Sequence, residues 1–141
     1  MIEINNKTGV KIDIKLVKKI TEIFFVYYKI RNKNISIAFI GDVVMRRLNK
    51  RYRGKDNITD VLSFRGDGDD LGEILINYAQ IKRQAKKYSK SVKEELIFIL
   101  VHGLLHLLGY KDENEKEKNK MEDLGEEFIF YMTRNRKQLK K

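Results

Sequence analysis

Two periods of apolar residues alternate along this chain, and the switches between them mark its elements. Ile2 and Ile4 flank Glu3 and lead into polar Asn5 and Asn6, which reads as a short strand entering a turn. Ile12, Leu16, Ile20, Ile23, Phe24 and Tyr27 then fall three or four apart, one face of a helix reaching about Tyr28. Asn32, Lys33 and Asn34 end it. Ile35 to Ile40 is rich in β-branched residues and predicts a strand. Asp42 is expected to cap a helix over Val43 to Asn49, followed by a basic, glycine-containing loop from Arg51 to Asn57. Val61 to Phe64 and Leu71 to Asn77 read as strands on either side of a turn at Gly66 to Asp70. Ala79 to about Tyr88 reads as a helix. Ser91 and Glu94 form a capping-box pattern that opens a strongly apolar helix through Leu108, with Gly109 placed to end it. Met121, Leu124, Phe128 and Tyr131 mark a charged helix from about Glu115 to Arg134, and Arg134 to Lys141 reads as a frayed basic end. Strands and helices mixed in this order predict an α+β fold: a small sheet of about four strands, with about five helices on its faces.

The 141 residues suit a single domain spanning the whole chain. The absence of Cys excludes a disulfide scaffold, a thiolate metal site and a thiol nucleophile. The longest apolar run, Leu96 to Val101, is six residues, against the roughly 20 needed to span a bilayer. The first residues lack the apolar core of a secretion signal, so the expectation is a soluble, cytoplasmic protein without a membrane role. A net charge of +10 points toward an anionic partner.

The chain has only two His residues, and both lie on the apolar helix. His102 and His106 are four apart, so their rings share one helical face and can serve one metal ion. A third protein ligand is required. With no third His and no Cys, a carboxylate just past Gly109 is the ordinary choice, Asp112 first and Glu113 as the alternative. An oxygen ligand suits Zn²⁺ and makes Mn²⁺ or Fe²⁺ more competitive, with Ni²⁺ a further alternative. The metalloprotease pattern needs Glu directly after the first His, and this chain has Gly103 there.

A second constellation lies in the basic loop. Arg51, Arg53 and Lys55 interleave with Tyr52; Arg forks onto phosphates and Tyr stacks on bases. Lys82, Arg83, Lys86, Lys87, Lys90 and Lys93 add another basic surface.

Three blocks together resemble the YbeY family of metal-dependent endoribonucleases. They are Tyr52 to Asp56 followed by Thr59 to Phe64, then Leu71 to Ile74, then His102 to Tyr110. The resemblance implies an α+β fold with a small mixed sheet and a metal in a cleft. It implies cleavage of single-stranded RNA in maturation of the small-subunit rRNA 3′ end and in ribosome quality control, with the small ribosomal subunit as partner. By position, His102 and His106 become metal ligands and catalytic residues, and Arg53 becomes a functional cleft arginine. The family pattern continues Gly-Tyr-Asp-His, its last His being the third ligand. Here the chain reads Gly109, Tyr110, Lys111, Asp112, Glu113. Without a gap Asp112 takes the ligand's place; with one inserted residue, Glu113 does. Lys111 brings a positive charge near the metal, which either opposes cation binding or helps to hold a phosphate. Beside the nuclease stand two other readings: a non-catalytic RNA- or ribosome-binding assembly factor, and a metallopeptidase-like hydrolase.

Overall fold

A computed structural model describes residues 1–134. Its elements are β1 (Ile2–Asn6), α1 (Ile14–Tyr27), β2 (Asn34–Ile40), α2 (Asp42–Arg53), β3 (Val61–Arg65), β4 (Asp70–Asn77), α3 (Tyr78–Lys87), α4 (Val92–Leu107) and α5 (Glu115–Arg134). The fold is α+β. One mixed sheet has the order β1-β2-β4-β3; β1, β2 and β4 run parallel, and β3 runs antiparallel to β4 at the edge. The basic end predicted after Arg134 lies outside the described residues.

Alternation along β2 and β4 divides the side chains between two faces. Ile35, Ile37, Phe39, Ile74 and Ile76 join the larger core, with Val17, Ile20 and Phe24 of α1, Leu100 and Leu104 of α4, and Phe128 of α5. Ala38, Ile40, Leu62 and Leu75 face the other way, toward Met45 of α2. Apolar residues surround most of α4, and that is the pattern of a helix enclosed by neighbours. It begins at Ser91, whose side chain accepts from the Glu94 N–H while the Glu94 carboxylate accepts from the Ser91 N–H, as expected from the sequence.

Two glycines let α4 settle against the sheet. Gly72 holds φ at 144°, and a Cβ there would lie 2.3 Å from the Phe64 carbonyl and 2.7 Å from Leu107 Cδ2. Gly103 faces Ile74 and Ser63, with room for a Cβ only at 3.1 and 3.2 Å from them, and the Ser63 hydroxyl donates to its carbonyl. Among the described residues no helix is long and apolar enough to cross a membrane.

Two expectations change. Gly41, not Asp42, is the N-cap of α2; Asp42 is the first helical residue, and its carboxylate accepts from Asn77 and Arg83. The helix also runs to Arg53, so Arg51, Tyr52 and Arg53 form its last turn and not a loop. Gly54, at φ 69°, ends it.

Candidate metal centre and cleft

α4 carries His102 and His106 at its C-terminal end, and the turn beyond brings the third group. Gly109 adopts φ 101°, and the Leu105 carbonyl accepts from the Tyr110 N–H. The chain thus folds back over the helix end. The Tyr110 carbonyl lies 2.9 Å from His106 Nδ1, and Asp112 Oδ2 lies 3.2 Å from His102 Nε2 and 3.5 Å from His106 Nε2. The two Nε2 atoms are 3.2 Å apart. Only a ring N–H can bond to a carbonyl, so His106 carries its proton on Nδ1 and points a bare Nε2 lone pair inward. Three facing ligand atoms at these distances need a positive group among them, either a proton between His102 and Asp112 or a cation.

A divalent ion meets that need. Ligand bonds of about 2.0–2.1 Å in tetrahedral geometry place neighbouring ligand atoms roughly 3.3 Å apart. The three observed separations bracket that value. His102, His106 and Asp112 form the one group among the described residues that could hold a metal ion. Glu113, the sequence alternative, is exposed, and its N–H donates to Glu117 instead.

The centre opens into a cleft of about 1020 Å³. The end of α2 contributes Tyr52 and Arg53; β3 contributes Ser63, Phe64 and Arg65. Tyr88 and Phe98 line the α3–α4 side, and Lys111, Lys118 and Glu122 lie beyond the metal centre.

The family model described as Endoribonuclease YbeY matches residues 2–132. The chain belongs to the YbeY family. A Phytoplasma mali protein named endoribonuclease YbeY is 39% identical over 130 residues, covering 91% of this chain and 86% of that protein. The YbeY protein of Persephonella marina is 38% identical, covering 91% of this chain and 90% of its own length. A Thermotoga maritima protein of known solution structure aligns at a TM-score of 0.65 and 26% identity, covering 98% of this chain and 95% of that one.

Electrostatics in this YbeY-family cleft favour metal-ready ligands. Burial, and then the neighbouring His106, push the His102 imidazole below its ordinary value, outweighing the carboxylates of Asp112 and Asp60. Burial alone would raise the Asp112 carboxyl. The charges of His106 and His102, the hydrogen bond from His102 and the Arg53 guanidinium outweigh it and hold Asp112 below the usual carboxylate range. Both shifts disfavour protons where a cation would bind.

Of the basic residues singled out in the sequence, Tyr52, Arg53 and Lys111 line the cleft, while Arg51 and Lys55 are exposed outside its lining. Asn49, buried beneath them, donates to the carbonyl and side chain of Asn57 and pins the connection after α2. Arg83 is engaged by Asp42 and Gln80 and is not a free surface cation. Sequence reasoning missed Arg65, Lys118 and Phe98 as cleft residues, and it read Tyr88 only as a helix end. Phe98 had a signal: it lies one turn before His102 on the same helical face.

Proposed function

We propose that this chain is a metal-dependent endoribonuclease cleaving single-stranded RNA, acting in the cytoplasm on the 3′ end of small-subunit rRNA and in ribosome quality control. The observation that carries this reading is the convergence of His102, His106 and Asp112 in an open cleft flanked by Arg53. Those three residues would hold one ion. Zn²⁺ suits two imidazoles and a carboxylate, and Mn²⁺, Fe²⁺ and Ni²⁺ compete for the oxygen-containing set. When bound, such an ion supplies Lewis-acid polarisation of a phosphoryl oxygen and acidifies water.

The chain's own residues do the rest. Arg53 forks onto phosphate oxygens and offsets the charge added in the transition state. Lys111 draws the backbone toward the centre, and Arg51 and Lys55 extend the positive field along the strand's approach. Tyr52 offers its exposed ring to an unpaired base. The Tyr110 carbonyl holds the His106 tautomer.

Purified protein and an unstructured RNA test the proposal. The wild type cleaves. Chelator, His102→Ala and Arg53→Ala each lower turnover, the last by about 10²–10³, while RNA binding persists. Equal cleavage in all samples assigns the activity to a contaminating nuclease and ends the proposal. Binding without wild-type cleavage turns the reading to an assembly factor on RNA or the ribosome. Chelator-sensitive turnover of a peptide panel would favour a peptidase, although position 103 packs on the sheet and supplies no carboxylate.

A further inference from the structure

The α3–α4 corner belongs to the cleft wall and has no part in the metal centre. Tyr88 is the C-cap of α3, held by bonds from its N–H to Gln84 and Lys86. Ser89 turns the chain at φ 54°, the Lys90 N–H returns to the Ala85 carbonyl, and the capping box of Ser91 starts α4 at once. Gln84 fastens this corner to the cleft floor: its amide donates to Asp60 Oδ2 at 3.1 Å and to the buried Glu95 Oε2 at 2.8 Å. An aromatic ring on this corner is therefore positioned by two capped helices and not by a loose loop.

Tyr88 is 54% exposed, so its ring is accessible to a ligand from solvent. It lines the same cleft as Phe98, and Phe98 lies nearly parallel to His102, 28° between planes and 6.4 Å between centroids. Each ring has an ammonium beside it: Lys87 Nζ is 5.6 Å from the Tyr88 centroid and Lys90 Nζ 5.0 Å from that of Phe98. A flat π-face with a cation alongside matches one nucleotide, its base on the ring and its phosphate near the amine. Tyr52, which also lines the cleft, repeats the pairing with Arg51, whose guanidinium is 5.3 Å from the ring. Aromatic rings with cations beside them in the same cleft as the metal centre suit a strand whose bases are unstacked.

Resting on the nuclease reading above, we propose that Tyr88 and Phe98, with Lys87 and Lys90, form a base-stacking subsite for an unpaired nucleotide flanking the cleavage point. Lys87 leaves its ring face for the phosphate when the base arrives, whereas Lys90 keeps its 3.8 Å ion pair with the buried Glu95 carboxylate and holds its place beside Phe98. Duplex RNA cannot use the subsite, because its bases are already stacked and paired.

The test uses full-length protein with chelator, so that binding is read without cleavage, and a fluorescein-labelled unstructured RNA. Tyr88→Leu is expected to weaken binding by roughly fivefold to a hundredfold, the range for one lost stack. Binding of inorganic polyphosphate, held by charge alone, stays unchanged in that variant. Tyr88→Trp keeps RNA affinity, and because the chain has no Trp of its own its emission reports the subsite directly, quenched by single-stranded RNA and not by duplex. RNA affinity of Tyr88→Leu within twofold of wild type, or Tyr88→Trp emission unmoved by saturating RNA, overturns the subsite. If the wild type cleaves RNA in metal-replete buffer while Tyr88→Leu binds normally, only the subsite falls. If the wild type neither binds nor cleaves RNA, the nuclease reading falls and takes the subsite with it.

Discussion

Asp112 presents one oxygen to two imidazoles whose inward nitrogens lie 3.2 Å apart, so its removal leaves two neutral ligands facing each other. Asp112→Ala should lower metal affinity by well over tenfold in a competitive chelator titration. Asp112→His should keep the ion and tighten Zn²⁺, because it restores a third imidazole where the YbeY pattern has one. An unchanged titration for the alanine variant would move the third ligand elsewhere. The pair of His residues was legible from spacing alone. The choice between Asp112 and Glu113 was not, because it depends on the turn at Gly109 and on the carbonyl of Tyr110. Protons test the same residues. The metal-free fold holds His102 below its ordinary 6.5, so the unfolded chain takes up a proton there first as pH falls. The His102 contribution to stability is therefore complete above about 6.5 and is lost progressively as pH drops toward the lowered native value. Urea midpoints of the metal-free protein should fall between pH 7 and pH 5, and His102→Gln should flatten that fall. A slope unaffected by the substitution would exclude His102 as its source.

Whole elements are held in place by backbone as much as by side chains, and β4 is the clearest case. Gly72 lets the strand pass under Leu107, the residue after His106, at a φ that other residues avoid. Gly72→Ala should cost at least about 2 kcal/mol in urea denaturation, since strain and a clash with backbone add. It should also weaken metal binding by shifting the end of α4. Gly9→Ala, whose Cβ meets nothing within 4 Å, is the control and should stay within about 0.5 kcal/mol. Equal midpoints for both variants would remove Gly72 from the positioning of α4. Most strands and the capping box of α4 were readable because local pattern and final packing agree. The bounds of α2 were not. Asp42 looked like a cap, yet it spends its carboxylate on Asn77 and Arg83, 35 and 41 residues away, which no local pattern records. The last turn of α2 carries no apolar periodicity, so it looked like a loop. That difference matters to function: Tyr52 and Arg53 stand on a helix end closed by Gly54, a firmer mount than a loop.

Across the whole molecule the order β1-β2-β4-β3 brings residues distant in sequence, Arg53 and Asp112 among them, to one cleft, and pattern alone could not have supplied that order. The charge of +10 was visible at once, but its use depends on where the cations face. Four of them line the cleft: Arg53, Arg65, Lys111 and Lys118. Each phosphate neutralised on a single strand contributes about −0.7 to the slope of log K against log salt, so binding confined to these four and to Lys87 of the proposed subsite predicts a slope near about −3.5. If the strand instead spread over the whole basic surface, including Lys82, Lys86 and Lys93, the slope would be clearly steeper. Fluorescence anisotropy with an unstructured RNA between about 50 and 200 mM salt separates the two. Arg53→Ala should shallow the slope by about 0.7 in the first case. Lys93→Ala, on a residue outside the cleft lining, should leave it unchanged. Equal loss from both variants would mean that the strand is held by the surface at large, and that the cleft acts only on what the surface delivers.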